Sequence, residues 1–322
     1  MLAAYIERFG PPEEIRYGRL PDPSPGPTDV LVEVWASTVN PVDTFVRSGL
    51  FRTPVAFPFV IARDLVGRVV RAGPGAAGFA PGDPVWCNSL GHDGRQGAAA
   101  ELAVVPADRL YRLPPGVDPL TAVGVLHPTA TAYLGLFRHG QLSAGDTVLV
   151  GGAAGNVGSA AVVLAAQAGA RVIATAGPGD LARCRSMGAA EAIPYDAPDL
   201  AARLRAAAPE GIDVHLDTSG HNDLRLAVDL LAHGGRIVLL AGARTEPVLP
   251  AGRLYMRDGS IRGFVISHAS TAELAAAART INRLLPSGLL RTREVAVLPL
   301  QSAAEAHAII ENGTDKRILL GL

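Results

Sequence analysis

Apolar and polar residues along this chain follow two rhythms, and the change comes near residue 146. Before it, Val30–Ala36 (VLVEVWA) alternates with period two, as a half-buried strand does, and Asp64–Val70 and Ala100–Val105 read as further strands. Clusters of proline and glycine separate them at Pro21–Pro27, Gly73–Gly78, Pro81–Pro84 and Pro114–Gly116. Short strands punctuated in this way predict a small β-barrel-like domain over residues 1–120. Pro119–Phe137 reads as a helix broken near Pro128. After residue 146, short β-branched runs alternate with longer alanine- and leucine-rich ones. Strands are predicted at Thr147–Val150, Arg171–Thr175, Glu191–Tyr195, Asp213–Asp217 and Arg236–Leu240. Helices are predicted near Val157–Ala168, Asp180–Met187, Asp199–Ala207 and Asp223–Ala232, with Asp180 and Asp199 as N-caps. This order is that of a doubly wound parallel sheet, so the fold class is α/β. Ser260–Ile266 reads as its last strand. An amphipathic helix Thr271–Leu285, a strand Glu294–Leu298, a helix Ser302–Asn312 and a strand Arg317–Leu320 complete the chain.

The stretch Asp146–Gly158 (DTVLVGGAAGNVG) carries the clearest chemistry. A β-branched run enters a glycine turn, and the alanine-rich segment Ser159–Ala168 continues it as a helix. Strand, turn and helix in that order form a dinucleotide-binding unit, in which a pyrophosphate rests on backbone N–H groups at the positive end of the helix. Gly155 falls where backbone must approach the phosphates and Gly158 where helix and strand must pack closely. Ala153 replaces the first glycine of the usual fingerprint.

Composition narrows the rest. The 322 residues suggest two domains, and 48% hydrophobic content is enough for two cores. A net charge of −1 with scattered basic residues argues against nucleic acid or an anionic membrane as partner. No apolar run approaches the ~18 residues of a membrane span. The segment MLAAYIERFG carries Glu7 and no signal-peptide pattern, and two cysteines, Cys87 and Cys184, make no disulfide framework, so a cytoplasmic location is the default expectation.

Several motifs occur together: Asn40-Pro41-Val42-Asp43, Ser48-Gly49-Leu50, Asp64-Leu65-Val66-Gly67, Gly82-Asp83, Thr131-Ala132-Tyr133, Ala153–Gly158, Gly188-Ala189 and Tyr195. As a set spanning essentially the whole chain, they resemble the zinc-independent quinone oxidoreductase (ζ-crystallin-like) branch of the medium-chain dehydrogenase/reductase superfamily. The resemblance implies a GroES-like catalytic domain over residues 1–122 and 267–322, with a Rossmann NAD(P)-binding domain, 123–266, inserted. It also implies a homodimer, here through the last Rossmann strand, and NADPH-dependent reduction of quinones or α,β-unsaturated carbonyls. At matching positions it places Asn40 beside the nicotinamide ribose, Thr129 near the nicotinamide, and Ala154, Gly155, Asn156 and Val157 around the pyrophosphate. Thr175 and Tyr195 fall in the adenosine region, and Ala241, Gly242, Phe264 and Val265 line the nicotinamide pocket. The acceptor would lie in a cleft between the domains lined by Asn40, Phe51, His127 and Thr129. Phe51 stands where the family often has Tyr, and the turn Thr175–Leu181 lacks the family's Ser and Lys for a 2′-phosphate. Arg183 and Arg185 are the nearest replacements. With no acid after the second strand, NADPH is expected over NADH, and NADH is not excluded.

No zinc is expected. Ala62-Arg63-Asp64 and Asp43 stand where zinc relatives carry ligands, and Cys87 and His92 have no third ligand beside them. No nucleophile–base or paired-carboxylate pattern emerges, and Asp43 and Asp64 read as structural hydrogen-bond partners. Hydride transfer to an electron-poor acceptor needs little acid–base help, because the cofactor carries the chemistry and the protein positions it. Two other readings fit the same residues: an enoyl-thioester reductase, and an NADPH-binding protein without physiological turnover.

Overall fold

The computed structural model describes residues 1–322 and divides into two compact units. One comprises Met1–His127, Ser270–Gly288 and Thr292–Leu322; the other comprises Pro128–Ala269 with Leu289–Arg291.

The second unit is built on a six-stranded sheet in which every neighbouring pair is parallel. From one edge to the other its strands are Glu191–Pro194, Arg171–Ala176, Thr147–Gly151, Ile212–Asp217, Leu231–Leu239 and Ser260–Gly263. Chain order therefore reverses between Thr147–Gly151 and Ile212–Asp217, the switch point where open parallel sheets bind ligands. A sheet covered on both faces needs nearly continuous apolar strands. Val148, Leu149 and Val150 are buried, as are Val172, Ile173, Val214, Leu216, Ile237 and Val238. Asp180 and Asp199 do stand at helix N-caps, but neither side chain caps its helix; Asp223 does, accepting from Leu226 N at 3.1 Å.

In the first unit, Asp29–Thr38 lies at the centre of a seven-stranded sheet. It pairs with Asp64–Ala72, Leu102–Pro106 and the C-terminal strand Arg317–Gly321. A three-stranded sheet joins Leu2–Ile6, Arg16–Arg19 and Phe59–Val60. The helix Thr271–Leu284 starts on a reciprocal cap between Ser270 and Glu273 and buries Leu274, Ala277, Ala278, Ile281 and Leu284, one helical face.

The helix expected to break at Pro128 does not. It runs Pro119–Tyr133 and continues as a π-helical turn, Leu134–His139. Proline removes the N–H that would serve the carbonyl of Gly124. Arg317 Nε donates to that carbonyl instead, at 2.9 Å, so the missing bond is replaced from outside the helix. The same 21 residues correct the expectation that no apolar run is long enough to cross a membrane. By length and composition this helix is, and 78% of its most apolar stretch is buried within the protein, as for a core helix.

His307 lies fully buried in the helix Ala303–Asn312, and neither ring nitrogen has a hydrogen-bond partner. Burial, reinforced by the neighbouring Arg47 guanidinium, lowers its pKa from 6.5 to about 3. Between these values the unfolded chain binds a proton that the folded chain refuses. The stability contributed is complete above pH 6.5 and drains away as the pH falls toward 3, a linkage of roughly 5 kcal/mol. Replacing His307 by Met should flatten the acid limb of stability against pH. Urea unfolding of both proteins between pH 4 and 7 checks this; parallel curves would contradict it.

Candidate functional site

The glycine turn sits at the carboxyl end of the first strand of the parallel sheet. Gly152 takes a left-handed φ of +72°, and a Cβ there would lie 3.0 Å from Thr218 Oγ1. The turn is tied by Ala153 N donating to Thr175 O at 2.9 Å and Gly155 N to Gly152 O at 3.0 Å. Gly155 is the N-cap of the helix Asn156–Gln167, and no side chain caps that helix. Its first N–H groups therefore remain available to an anion.

The two later glycines have different reasons. A Cβ on Gly158 would lie 2.2 Å from Gly152 O and 2.8 Å from Ala153 Cα, so the protein's own packing requires glycine. A Cβ on Gly155 would meet only Gly152 O, at 3.3 Å, and its φ of −68° suits any residue. That contact calls for a shift of only a few tenths of an ångström, so the fold demands glycine far less strictly at 155 than at 158. The space its missing side chain leaves is a cradle that fits a pyrophosphate.

Other residues singled out in the sequence gather along the same carboxyl edge. Thr175 is buried at the end of the second strand, and Ala154 is buried in the turn. Tyr195 is 60% exposed, with its ring 3.8 Å from where a Gly177 Cβ would be. Phe264 N donates to Leu239 O, its ring stacks on His139 at 4.4 Å, and Val265 is exposed. Asn156 and Val157 open the helix, half-buried. Arg183 Nη2 donates to Arg291 O at 3.4 Å and Arg185 Nη2 to Ala192 O at 3.1 Å, so both guanidinium groups are engaged on backbone carbonyls.

Sequence reading missed the loop after the fourth strand. Asp217 is buried, and its carboxylate accepts from Ser219 N (2.8 Å), Ser219 Oγ (2.7 Å) and Asn222 N (2.9 Å). Burial alone would raise its pKa; the Ser219 hydroxyl, nearby His215 and the backbone donors outweigh that and hold it below the usual carboxylate range. Thr218 Oγ1 donates to Gly151 O at 2.7 Å, tying this loop to the glycine turn. The available signal was position: these residues follow the strand beside the switch point.

In the first unit a buried ionic cluster gathers Asn40, Asp43, Arg63, Asp64, His127 and Arg317. Asn40 Nδ2 donates to Asp64 Oδ2 at 2.9 Å, and Arg317 Nη2 donates to Asn40 Oδ1 at 2.9 Å. Asp43 accepts from Asn40 N at 2.7 Å and faces Arg63 Nε at 3.4 Å; burial raises its pKa, against the pull of Arg63. His127 Nδ1 lies 3.4 Å from both Asp64 Oδ1 and Asn88 O. Asp43 and Asp64 thus serve as hydrogen-bond partners within the cluster, and the Asn40 amide is committed to it. Phe51 is half-buried against the apolar core of its unit. Thr129, in the other unit, is fully buried with no partner for its hydroxyl.

The contrast between the glycines is testable. Gly155→Val should fold with a melting temperature near wild type and lose dinucleotide affinity by ~1–3 kcal/mol or more. Gly158→Val should be destabilised by a similar amount or fail to fold. Thermal melts with fluorescence titration of the dinucleotide read both. A folded Gly155→Val that binds as wild type does would remove the turn from the site.

Comparison with known proteins agrees with this layout. The alcohol dehydrogenase GroES-like domain family model matches residues 26–115, and the zinc-binding dehydrogenase model matches residues 156–283. A quinone oxidoreductase from Sus scrofa is 30% identical over 326 residues, covering 99% of this chain and 98% of that protein. Prostaglandin reductase-3 from Bos taurus is 35% identical over 261 residues, covering 77% of this chain and 67% of that one. A crystal structure of an NAD-dependent alcohol dehydrogenase superposes with a TM-score of 0.89 at 32% identity, each chain covered completely. With its GroES-like and Rossmann parts and its full-length similarity to quinone oxidoreductases, the chain is an oxidoreductase that belongs to the quinone oxidoreductase branch of the medium-chain dehydrogenase/reductase superfamily.

Proposed function

We propose that the protein reduces quinones or α,β-unsaturated carbonyls with NADPH and without zinc. The observation that carries this reading is the Gly155 cradle at an uncapped helix N-terminus beside the switch point, in a chain similar along its whole length to quinone oxidoreductases. Bound there, the reduced nicotinamide supplies a hydride. The protein's own part is to hold and orient. Backbone N–H groups of Asn156 and Val157, with Ala154 and Gly155, carry the pyrophosphate; Thr175 and Tyr195 border the adenosine. Ala241, Gly242, Phe264, Val265 and the Thr129 hydroxyl serve the nicotinamide half. Phe51 and His127 meet the acceptor, and solvent supplies the proton. A nicotinamide-ribose contact by the Asn40 amide would require exchanging one of its bonds to Arg317 or Asp64.

A zinc ion does not fit the residues present. No group of three or more His, Cys, Asp or Glu side chains is arranged to hold a metal. Cys87 is buried with its thiol pushed up to about 11, which disfavours the thiolate a metal needs. For the 2′-phosphate, either Arg183 or Arg185 would exchange its carbonyl partner for a stronger charge-assisted contact.

The reading is tested by following loss of reduced-nicotinamide absorbance with a simple quinone, an enone and an enoyl thioester, using NADPH and NADH, before and after exhaustive chelation. Turnover should favour NADPH, survive chelation and be fastest with the quinone or enone. Arg183→Ala or Arg185→Ala should selectively lower kcat/KM for NADPH. Faster enoyl-thioester turnover would move the substrate class, binding without turnover would remove the activity, and loss on chelation would restore a metal.

We also propose a homodimer. Ser260–Gly263 is an edge strand of the parallel sheet, and Val248, Tyr255, Met256 and Val265 are exposed in the same part of the chain, Met256 by 72%. Sedimentation at micromolar concentration should give twice the 33.3 kDa chain mass; a monomer would reject it.

A further inference from the structure

Beyond the glycine turn, the rim of the parallel sheet is pinned by Asn222. This residue is 4% exposed and takes a φ of +54°, a left-handed conformation that asparagine tolerates better than most residues. Its backbone N–H donates to Asp217 Oδ2 at 2.9 Å, which fixes it to the end of the fourth strand. Its side-chain Nδ2 reaches across to the loop after the fifth strand, donating to Ala241 O at 3.1 Å and Thr245 Oγ1 at 2.7 Å. The Thr245 hydroxyl in turn donates to Gly242 O at 2.8 Å. The two loops approach so closely that a Cβ on Gly220 would lie 2.8 Å from Gly242 N, and one on Gly242 would lie 2.4 Å from Asn222 Nδ2. On the other side, Thr218 Oγ1 holds the same loop to Gly151 O at 2.7 Å and Gly152 O at 3.2 Å. One hydrogen-bonded arc therefore runs from the glycine turn, through Thr218 and Asp217, to Asn222 and the Ala241–Thr245 loop.

A dinucleotide with its pyrophosphate on the glycine turn sends one nucleoside over the second strand and the other over the fourth and fifth. The arc reaches only the second of these. We propose that Asn222 is a positioning residue for hydride transfer. Its amide sets the Ala241–Gly242 backbone, and through that backbone the orientation of the nicotinamide half relative to a pyrophosphate held by the turn. This rests on the dinucleotide reading above and adds to it a residue that touches neither cofactor nor acceptor. Ordering a loop is served by any contact, whereas an amide held by two partners on the facing loop fixes that loop's backbone in register with the strand ends. Preorganisation of that kind appears in the rate of the chemical step as well as in binding.

The test uses the full-length enzyme as wild type, Asn222→Gly, Thr245→Val and the double variant. Asn222→Gly keeps access to the left-handed backbone and removes only the amide; Thr245→Val removes one of its two acceptors at an exposed position. The probes are the preferred dinucleotide, NADPH or NADH, and the matching fragment without nicotinamide, 2′-phospho-ADP-ribose or ADP-ribose. Loss of the amide should leave fragment affinity within about twofold. It should weaken the dinucleotide about fivefold or more, lower kcat about tenfold and enlarge the primary isotope effect with 4-deuterated cofactor. Thr245→Val should show a smaller form of the same pattern, and the double variant should be no worse than Asn222→Gly. If Asn222→Gly does not fold, Thr245→Val carries the same comparison. Equal weakening of fragment and dinucleotide, or wild-type kcat with an unchanged isotope effect, would overturn the assignment. A wild type that binds neither probe overturns the dinucleotide reading itself, an outcome distinct from a wild type that binds and turns over while the variants match it.

Discussion

A single buried guanidinium holds the first unit together. Arg317 is 1% exposed, and its nitrogens donate to Gly124 O, Val39 O and Asn40 Oδ1, with Asp64 at 3.9 Å. It thereby joins the C-terminal strand, the segment leading into the helix Pro41–Ser48 and the helix that contains Pro128. Burial lowers its pKa, while Asp64 and Asp43 pull the other way and favour the charged form. Removing one partner of such a buried pair leaves the other charge unpaired, which typically costs ~3–5 kcal/mol. The cluster is therefore tolerable only complete. Asn40, Asp43, Arg63, Asp64 and His127 are held in one arrangement by that requirement.

The second unit solves a different problem. Its strands are buried among apolar residues, and the glycine turn and the loops tied to it lie at the carboxyl edge. There the glycine turn leaves N–H groups without caps, while the loops around it are tied together through Asp217, Thr218 and the Asn222 Nδ2 amide. An edge whose loops are braced by hydrogen bonds to one another and whose helix N–H groups are uncapped is suited to receive an anion. The two glycines differ in what surrounds them: a Cβ at Gly158 would run into the turn's own backbone, whereas one at Gly155 would press only on Gly152 O.

Much of this was legible in the chain. The parallel sheet declared itself through five short apolar runs spaced by helices, and the turn through its glycines. The strands Phe59–Val60 and Tyr111–Arg112, two residues each, were too short to show any period. The continuous helix was not legible either. Proline signals a break by removing a donor, and the replacement donor, Arg317, lies far along the sequence from Gly124. The buried cluster shares that cause, since Asn40 and Arg317 meet only because the last strand pairs with Asp29–Thr38. Asp217–Asn222 reads as an ordinary turn, and only its place beside the switch point gives the loop its meaning.

The placement of that last strand also sets the order in which the molecule can be assembled as it is made. Arg317–Gly321 lies between Val295–Pro299 and the central strand Asp29–Thr38, so the sheet of the first unit lacks an inner member until that strand emerges. Until then the Ala36–Thr38 end of the central strand lacks its partner on that edge, while Asp29–Glu33 already pairs with Leu102–Pro106, and Asp64 and Asn40 wait without their arginine. The six strands of the other unit are all synthesised earlier, and its topology closes without help from the C-terminus. On the ribosome the strands of the parallel sheet can therefore all be in place first, while the sheet of the β-rich unit stays open until Arg317–Gly321 emerges. Truncation by a few residues would act on the earliest part of the chain, because it withdraws the strand for which that part has been waiting.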